Sequence, residues 1–192
     1  KVAVAGGSAG GYLTLTSGFR VKPAPTVLLS FWGYGDLVGA WYAEPSPHPR
    51  HNRVKVSEME ARAQVQGPAI ANSKDRNGTG LLFYIYCRQS GGWPTAVTGW
   101  NPHAEPEKFY AYMPVMNVDP EYPPTAMIHG TLDTDVPFAQ SEMMVKEFKK
   151  HGVAHMFLAV SGGEHGLGGA DRAEIDTAYA KAFAFVKARL EE

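Results

Sequence analysis

A serine attacks a carbonyl efficiently only where its hydroxyl is exposed and a base can take its proton. Ser8 stands in a setting that offers exposure. It is the centre of Gly6-Gly7-Ser8-Ala9-Gly10, a Gly-x-Ser-x-Gly pattern placed between the apolar run Val2-Ala3-Val4-Ala5 and a helical stretch from Gly10 to Arg20. A strand that turns sharply into a helix presents the serine oxygen at the top of a sheet, with the serine itself in a strained backbone conformation. Side chains at Gly6 and Gly10 are expected to clash in such a nucleophile elbow. The helix start behind the serine offers the Ala9 backbone N–H as a donor to the oxyanion of a tetrahedral intermediate. The competing reading is a phosphate-binding turn. A dinucleotide fingerprint beginning at Gly6 needs glycine where Ser8 stands, and a phosphate loop needs lysine where Tyr12 stands.

The base and the acid that supports it must come from loops at the carboxyl ends of other strands. The run Thr125 to His129 reads as a strand, and it is followed by Gly130-Thr131-Leu132-Asp133-Thr134-Asp135-Val136-Pro137. The run Ala154 to Val160 reads as another, followed by Gly162-Gly163-Glu164-His165-Gly166. His165 is the histidine of that last loop, flanked by glycine on its far side, and is the expected base. Asp133 is the expected acid. Asp36, after the second strand, and Asp135 are the alternatives. The order Ser, Asp, His is that of α/β-hydrolases rather than of chymotrypsin or subtilisin. His48, His51, His103, His129, His151 and His155 read as surface or packing residues.

The elements that would carry these groups alternate in type. After the first strand and helix, Pro23 and Pro25 precede a second strand, Thr26 to Phe31, whose continuous apolar character suits a strand buried on both faces. From Gly33 to Tyr122 the chain is rich in proline, glycine and aromatics, and reads as a lid or insertion (33–122) within a single α/β domain spanning 1–192. Within it, Ser57-Glu58-Met59-Glu60 is a capping-box pattern, and Leu81 to Gln89 suggests a second short helix. Asn77-Gly78-Thr79 fits a glycosylation acceptor, a triplet common by chance. A helix from Pro137 to His151 ends at Gly152, a natural C-cap. A last helix, Asp171 to Leu190, places Ile175, Tyr179, Phe183, Val186 and Leu190 at helical spacing and is expected to bury that face on the sheet. Four strands alternating with helices imply a parallel sheet with right-handed crossovers.

Composition narrows the classes further. The chain has 192 residues, 44% apolar and 19% charged, with a formal net charge of −1 and no basic run denser than Lys149-Lys150. A globular fold is expected, with no footprint for nucleic acid and no membrane span. The single cysteine, Cys87, excludes an internal disulfide and leans toward a reducing, cytoplasmic setting. No histidine or cysteine pair shows metal-ligand spacing, so neither a metal nor another cofactor is expected. Glu58 and Glu60 are accounted for by the helix cap rather than by a glycosidase carboxylate pair. Trp32, Tyr34, Trp41 and Tyr42, after the second strand, are expected either to line an acyl or leaving-group pocket or to pack the insertion onto the domain.

Through Gly6-Gly7-Ser8-Ala9-Gly10-Gly11-Tyr12, His129-Gly130-Thr131-Leu132-Asp133 with Val136-Pro137, and Gly163-Glu164-His165-Gly166, the chain resembles the α/β-hydrolase superfamily. Within it, the resemblance is to prolyl-oligopeptidase-like serine peptidases and esterase/lipase-like hydrolases. It implies a nucleophile at Ser8, an acid at Asp133 and a base at His165, acting through an acyl-enzyme on carboxylic esters or peptides. An acyltransferase of the same fold and a non-catalytic hydrolase-like fragment are the alternatives. Members of the superfamily carry further strands before the nucleophile strand and take a second oxyanion donor from a loop there. A chain opening at Lys1 directly on the nucleophile strand is therefore expected to be the C-terminal part of the fold, with the missing N-terminal part as its partner.

Overall fold

The computed structural model describes residues 1–68, 72, 75 and 78–192. Asn77 of the glycosylation triplet lies outside the described residues. Two compact units are present, one formed by residues 1–36 and 110–192, the other by 37–109.

The first unit is built on a four-stranded sheet. Strand β1 (Ala3–Gly7) runs through the elbow into helix α1 (Ala9–Arg20), and β2 (Val27–Phe31) follows. All strand pairs are parallel, in the order β1-β2-β3-β4, with β3 at Thr125–Gly130 and β4 at His155–Val160. The apolar runs Val27–Leu29 and Ala126–Ile128 are fully sheltered, as expected of central strands covered on both faces. Their backbone polar groups are consumed by the ladder, so burial leaves little unsatisfied.

Two apolar clusters fill this unit. Leu15, Leu28, Val118, Tyr122, Met127, Met144, Phe148 and Val153 form one, and Leu29, Ala126, Ile128, Val160, Leu167, Ala178 and Ala182 the other. The presence of Val118 and Tyr122 in the first cluster shows why this unit extends beyond the expected boundary: residues 110–122 pack on the sheet. At the other end, Val115 N–H bonds the Gly35 carbonyl, and the Gln140 side-chain oxygen accepts from the N–H groups of Gly35 and Asp36. The second unit is accordingly narrower than 33–122.

The last helix of the chain, Arg172–Glu191, departs from the expected face. Ile175, Tyr179 and Val186 pack against the second cluster, but its fully sheltered positions are Ala178 and Ala182, and Phe183 is 54% exposed. Small side chains let the helix axis approach the sheet, so the buried stripe centres on alanine instead of on the larger residues flanking it. Asp171 caps this helix by accepting from the Glu174 N–H.

Residues 37–109 contain short helices: α2 (Ala40–Ala43), α3 (Pro49–Asn52), α4 (Glu58–Ala63), α5 (Leu81–Ser90), α6 (Trp93–Thr98), and most of α7 (Glu107–Tyr110). The expected capping box is present: Ser57 Oγ accepts from Glu60 N–H at 3.3 Å, and the Glu60 carboxylate accepts from Ser57 N–H at 3.1 Å. Helices α8 (Ala139–His151) and α9 (Arg172–Glu191) complete the first unit, with Gly152 closing α8 at φ +70°. Among the described residues, no helix is long and apolar enough to cross a membrane.

Candidate active site

The sheet places its functional loops by a repeated device. One residue past each strand, the backbone still donates to the neighbouring strand: Ser8 N–H to Phe31 O at 2.9 Å, Trp32 N–H to Ile128 O at 2.7 Å, and Thr131 N–H to Val160 O at 3.0 Å. The carboxyl ends of β1 and β2 are therefore level, those of β3 and β4 are level two residues further on, and the chains leaving them start from fixed positions.

At the first of these exits, Ser8 adopts φ 56°, ψ −121°, a region that costs a non-glycine residue on the order of 1–3 kcal/mol. A Cβ on Gly6 would collide with the Gly10 carbonyl, which explains glycine there. The expectation for Gly10 needs correcting. A Cβ at Gly10 meets nothing within 4 Å, whereas one at Gly11 would lie 2.8 Å from Gly33 Cα and from Ser30 Oγ. The crowding arises where the elbow passes the loop after β2, one residue later than the spacing suggested. Ala9 opens α1, so its N–H is among those that a helix leaves without an intrahelical acceptor, at the positive end of the helix dipole.

The loops after β3 and β4 are braced together. A Cβ on Gly130 would collide with the Gly163 carbonyl, so the two loops approach as closely as glycine permits. Leu132 N–H donates to Gly163 O at 2.9 Å, and Gly162 N–H to Thr131 Oγ1 at 3.0 Å. Glu164 spans both loops, accepting from the Thr134 hydroxyl and N–H on one side and from the His165 N–H at 2.8 Å on the other. Sequence reasoning alone assigns Glu164 no part. Its position between the histidine and the preceding glycines is the signal that was available.

The structure brings Ser8, His165 and Asp133 into one chain of contacts. His165 Nε2 lies 3.0 Å from Ser8 Oγ, and its Nδ1 lies 2.8 Å from Asp133 Oδ2. The Asp133 side chain is fully buried, while 16% of the His165 side chain is exposed, so the imidazole is reachable and its carboxylate partner is not. Asp135, an alternative acid, reaches the opposite nitrogen: its Oδ2 is 3.7 Å from His165 Nε2, the side that faces Ser8. Asp36, the other alternative, sits in the loop held by Gln140.

Burial pushes the Asp133 carboxyl up, but hydrogen bonds from His129 and His165, the charge of His165 and the Val136 N–H outweigh it and hold the group well below the usual carboxylate range. Asp133 Oδ1 accepts from Asp135 N–H and Val136 N–H, each at 2.9 Å. His129 Nε2 is 3.2 Å from Oδ2. The sequence reads His129 as a surface or packing residue; it is fully buried, as a packing residue is, and it also touches Asp133, a contact foreshadowed only by its place four residues before that aspartate.

Of the four aromatics after β2, Trp32 sits edge-on to His165, with ring centroids 6.3 Å apart, and holds φ 38°, a left-handed value that is strained for so bulky a residue. Its indole also lies against Gly7. Tyr34 stacks on Tyr12 at 5.1 Å. Trp41 and Tyr42 belong to the second unit, where they stack on each other at 4.5 Å and Arg88 lies over both rings. Cys87 offers no competing nucleophile, because burial pushes its thiol up to about 11. Among the described residues, no group of three or more histidine, cysteine or acidic side chains could hold a metal ion.

The model of the prolyl oligopeptidase family matches residues 82–192, more than half of the chain and including Asp133 and His165. Among curated relatives, the non-reducing polyketide synthase Preu6 of Preussia isomera is 27% identical over 191 residues, covering 86% of this chain and 8% of that protein. A solved structure of a Staphylococcus aureus protein of unknown function is similar at a TM-score of 0.71 and 19% identity, covering 97% of this chain and 64% of that one. A puromycin-hydrolyzing peptidase of Mycobacterium tuberculosis is similar at 0.61 and 18%, covering 97% and 22%. A truncated carbohydrate esterase from gut microbiota follows at 0.57 and 16%, covering 97% and 59%. The chain spans less than two thirds of each of these relatives, and at such identities the solved structures speak to fold, which is that of the α/β-hydrolases. On the extent of the family match, the chain belongs to the prolyl oligopeptidase family of hydrolases.

Proposed function

We propose that the chain carries the catalytic machinery of a serine hydrolase that cleaves carboxylic ester or peptide bonds through an acyl-enzyme on Ser8. The observation that carries this reading is the single line of contacts from Ser8 Oγ to His165 Nε2 and from His165 Nδ1 to Asp133 Oδ2. His165 takes the Ser8 proton as Ser8 Oγ attacks the carbonyl carbon, and the carbonyl oxygen becomes an oxyanion facing the Ala9 N–H. Collapse expels the leaving group, which receives the proton from His165. Water then enters by the same route in reverse and frees the acid. Asp133, kept ionised, holds His165 in the tautomer that leaves Nε2 able to accept a proton, and stabilises the imidazolium.

The test is intact-mass labelling with a fluorophosphonate beside Ser8→Ala and His165→Ala. The expected result is one adduct on the parent and none on either variant, with hydrolysis of an activated ester falling on the order of a millionfold in both. Labelling that survives Ser8→Ala would remove Ser8 as nucleophile.

The kinship with a polyketide synthase favours a second reading, in which an alcohol or amine rather than water resolves the acyl-enzyme. A product assay with competing nucleophiles separates the two, since a transferase forms the new ester or amide in preference to the free acid.

A further inference from the structure

We infer that His129, whose other ring nitrogen is held by Ser141, is a positioning residue for Asp133, so that the hydrogen-bonded line runs from Ser141 through His129, Asp133 and His165 to Ser8. This rests on the proposed role of Ser8 and extends it. His129 Nε2 faces two acceptors, the Val136 carbonyl at 3.0 Å and Asp133 Oδ2 at 3.2 Å. A nitrogen between a carbonyl and a carboxylate must carry the proton, so Nε2 is assigned as the donor. His129 Nδ1 then accepts, and the Ser141 hydroxyl lies 2.7 Å from it. Ser141 projects from α8 and is buried, as is His129, whose ring also meets Phe138 edge-on at 5.7 Å. Neither side chain has water to turn to, so the arrangement is determined by these partners.

The consequence falls on one oxygen. Asp133 Oδ2 receives both the His129 and the His165 N–H, while Oδ1 is occupied by two backbone donors. Four donors around a buried carboxylate fix its rotamer and keep it ionised. A protonated Asp133 would present a hydroxyl to His165 Nδ1 and drive the imidazole toward the tautomer in which Nε2 cannot accept the Ser8 proton. The other titratable groups facing the cluster are His165 and Asp135, with Glu164 bracing the loops. Withdrawing the His129 donor leaves the Asp133 carboxylate more basic, which raises the pH below which the hydrogen-bonded pair is inactive.

The experiment measures the fluorophosphonate labelling rate of the purified protein against pH for the parent, His129→Phe, His129→Gln and Ser141→Ala, with circular dichroism on each. His129→Phe is expected to slow labelling about tenfold to a hundredfold at neutral pH, the range for a hydrogen bond to a charged group, and to move the acid limb of the profile upward. His129→Gln, whose amide can donate to the same oxygen, should recover most of the rate and return the limb. Ser141→Ala should shift the limb the same way by less. A folded His129→Phe with the parental limb, or a Gln variant as impaired as Phe, overturns the inference. Should His129→Phe not fold, an unmoved limb in Ser141→Ala overturns it instead. A parent that labels at Ser8 while these variants match it defeats the positioning role alone. A parent whose labelling persists in Ser8→Ala defeats the hydrolase reading, and the inference with it.

Discussion

The two units of this chain hold their residues in place by different means. In the sheet unit, position is set by a backbone ladder: Gly7 pairs with Phe31, Phe31 with Ile128, and Gly130 with Val160, so the chain leaves each strand from a fixed point whatever the strand side chains are. In residues 37–109, helices of four to ten residues are tied by individual side chains. Gln89 Nε2 donates to the carbonyls of His51 and Val54, and Asn52 Nδ2 to those of Ser46 and His48. A glycine at φ +69°, Gly91, ends α5 with its Cα set against the Glu44 backbone, where a Cβ would collide. Helices this short are marginal alone and depend on such ties. A ladder tolerates sequence change and keeps geometry to fractions of an ångström, which is what a proton-transfer line requires. Side-chain ties hold shape more locally, and each is exposed to single substitutions.

The sharpest test of this contrast is Asp133→Asn, which leaves the ladder intact and alters one carboxylate. Activity is expected to fall by about four orders of magnitude, because the amide lets the imidazole take the wrong tautomer. A stability effect should accompany it. The folded-state pKa of Asp133 lies below its unfolded value, so its contribution is present above the unfolded pKa of about 3.9 and is lost as pH falls through the folded value. In urea melts the parent should therefore lose stability progressively below about pH 4. The Asn variant should be weaker at neutral pH by about 1.5–3 kcal/mol and show a shallower acid decline. An unchanged acid slope in the variant would show that other carboxylates account for it.

Gly130→Ala should come next in size. Its Cβ would collide with the Gly163 carbonyl, so the loops bearing Asp133 and His165 must separate. Misplacement by about an ångström costs on the order of a hundredfold in rate. The expected signature is a fall in kcat with KM nearly unchanged, read from ester hydrolysis, since the substrate-facing surface is not altered. The same change at Gly10, where a Cβ meets open space, should be far milder, and equal losses at the two sites would break the claim that close loop contact is what positions Asp133 and His165.

How much of this could be read from residue order follows the same division. Strand–helix alternation, the elbow at Ser8, and the positions of Asp133 and His165 carry local signals: apolar runs, glycines at a turn, and an aspartate or histidine just past a strand. The C-cap at Gly152 and the box at Ser57 were legible for that reason. The bonds from Thr134 to Glu164 are not, because they depend on which loops the parallel ladder brings side by side, and the contact of His129 with Asp133 has only a four-residue spacing to signal it. On α9, Ile175, Tyr179 and Val186 pack on the sheet as their spacing suggests, while Ala178 and Ala182 escape a periodicity reading because large apolar residues dominate it and close packing selects small ones. The limits of the insertion were set too wide because Val118 and Tyr122, among prolines and glycines, look like loop residues until the sheet that buries them is present.

The smallest effect expected is also the one that tests the side-chain half of the comparison. Ser57→Ala removes the hydroxyl that accepts from Glu60 N–H and donates to the Glu60 carboxylate, and leaves the backbone N–H of residue 57 from which that carboxylate also accepts. Loss of an N-cap costs about 1 kcal/mol, and α4 is six residues long, so the cost should fall on that helix rather than spread through the chain. Hydrogen exchange resolved by peptide should show faster exchange over Glu58–Ala63, with β2 and β3 unchanged. Fluorophosphonate labelling at Ser8 should match the parent, since the contacts joining Ser8, His165 and Asp133 all lie within the sheet unit. Faster exchange in the central strands, or slower labelling, would mean that a single side-chain tie in residues 37–109 governs the sheet as well, and the separation between a ladder that carries the chemistry and ties that carry local shape would fail.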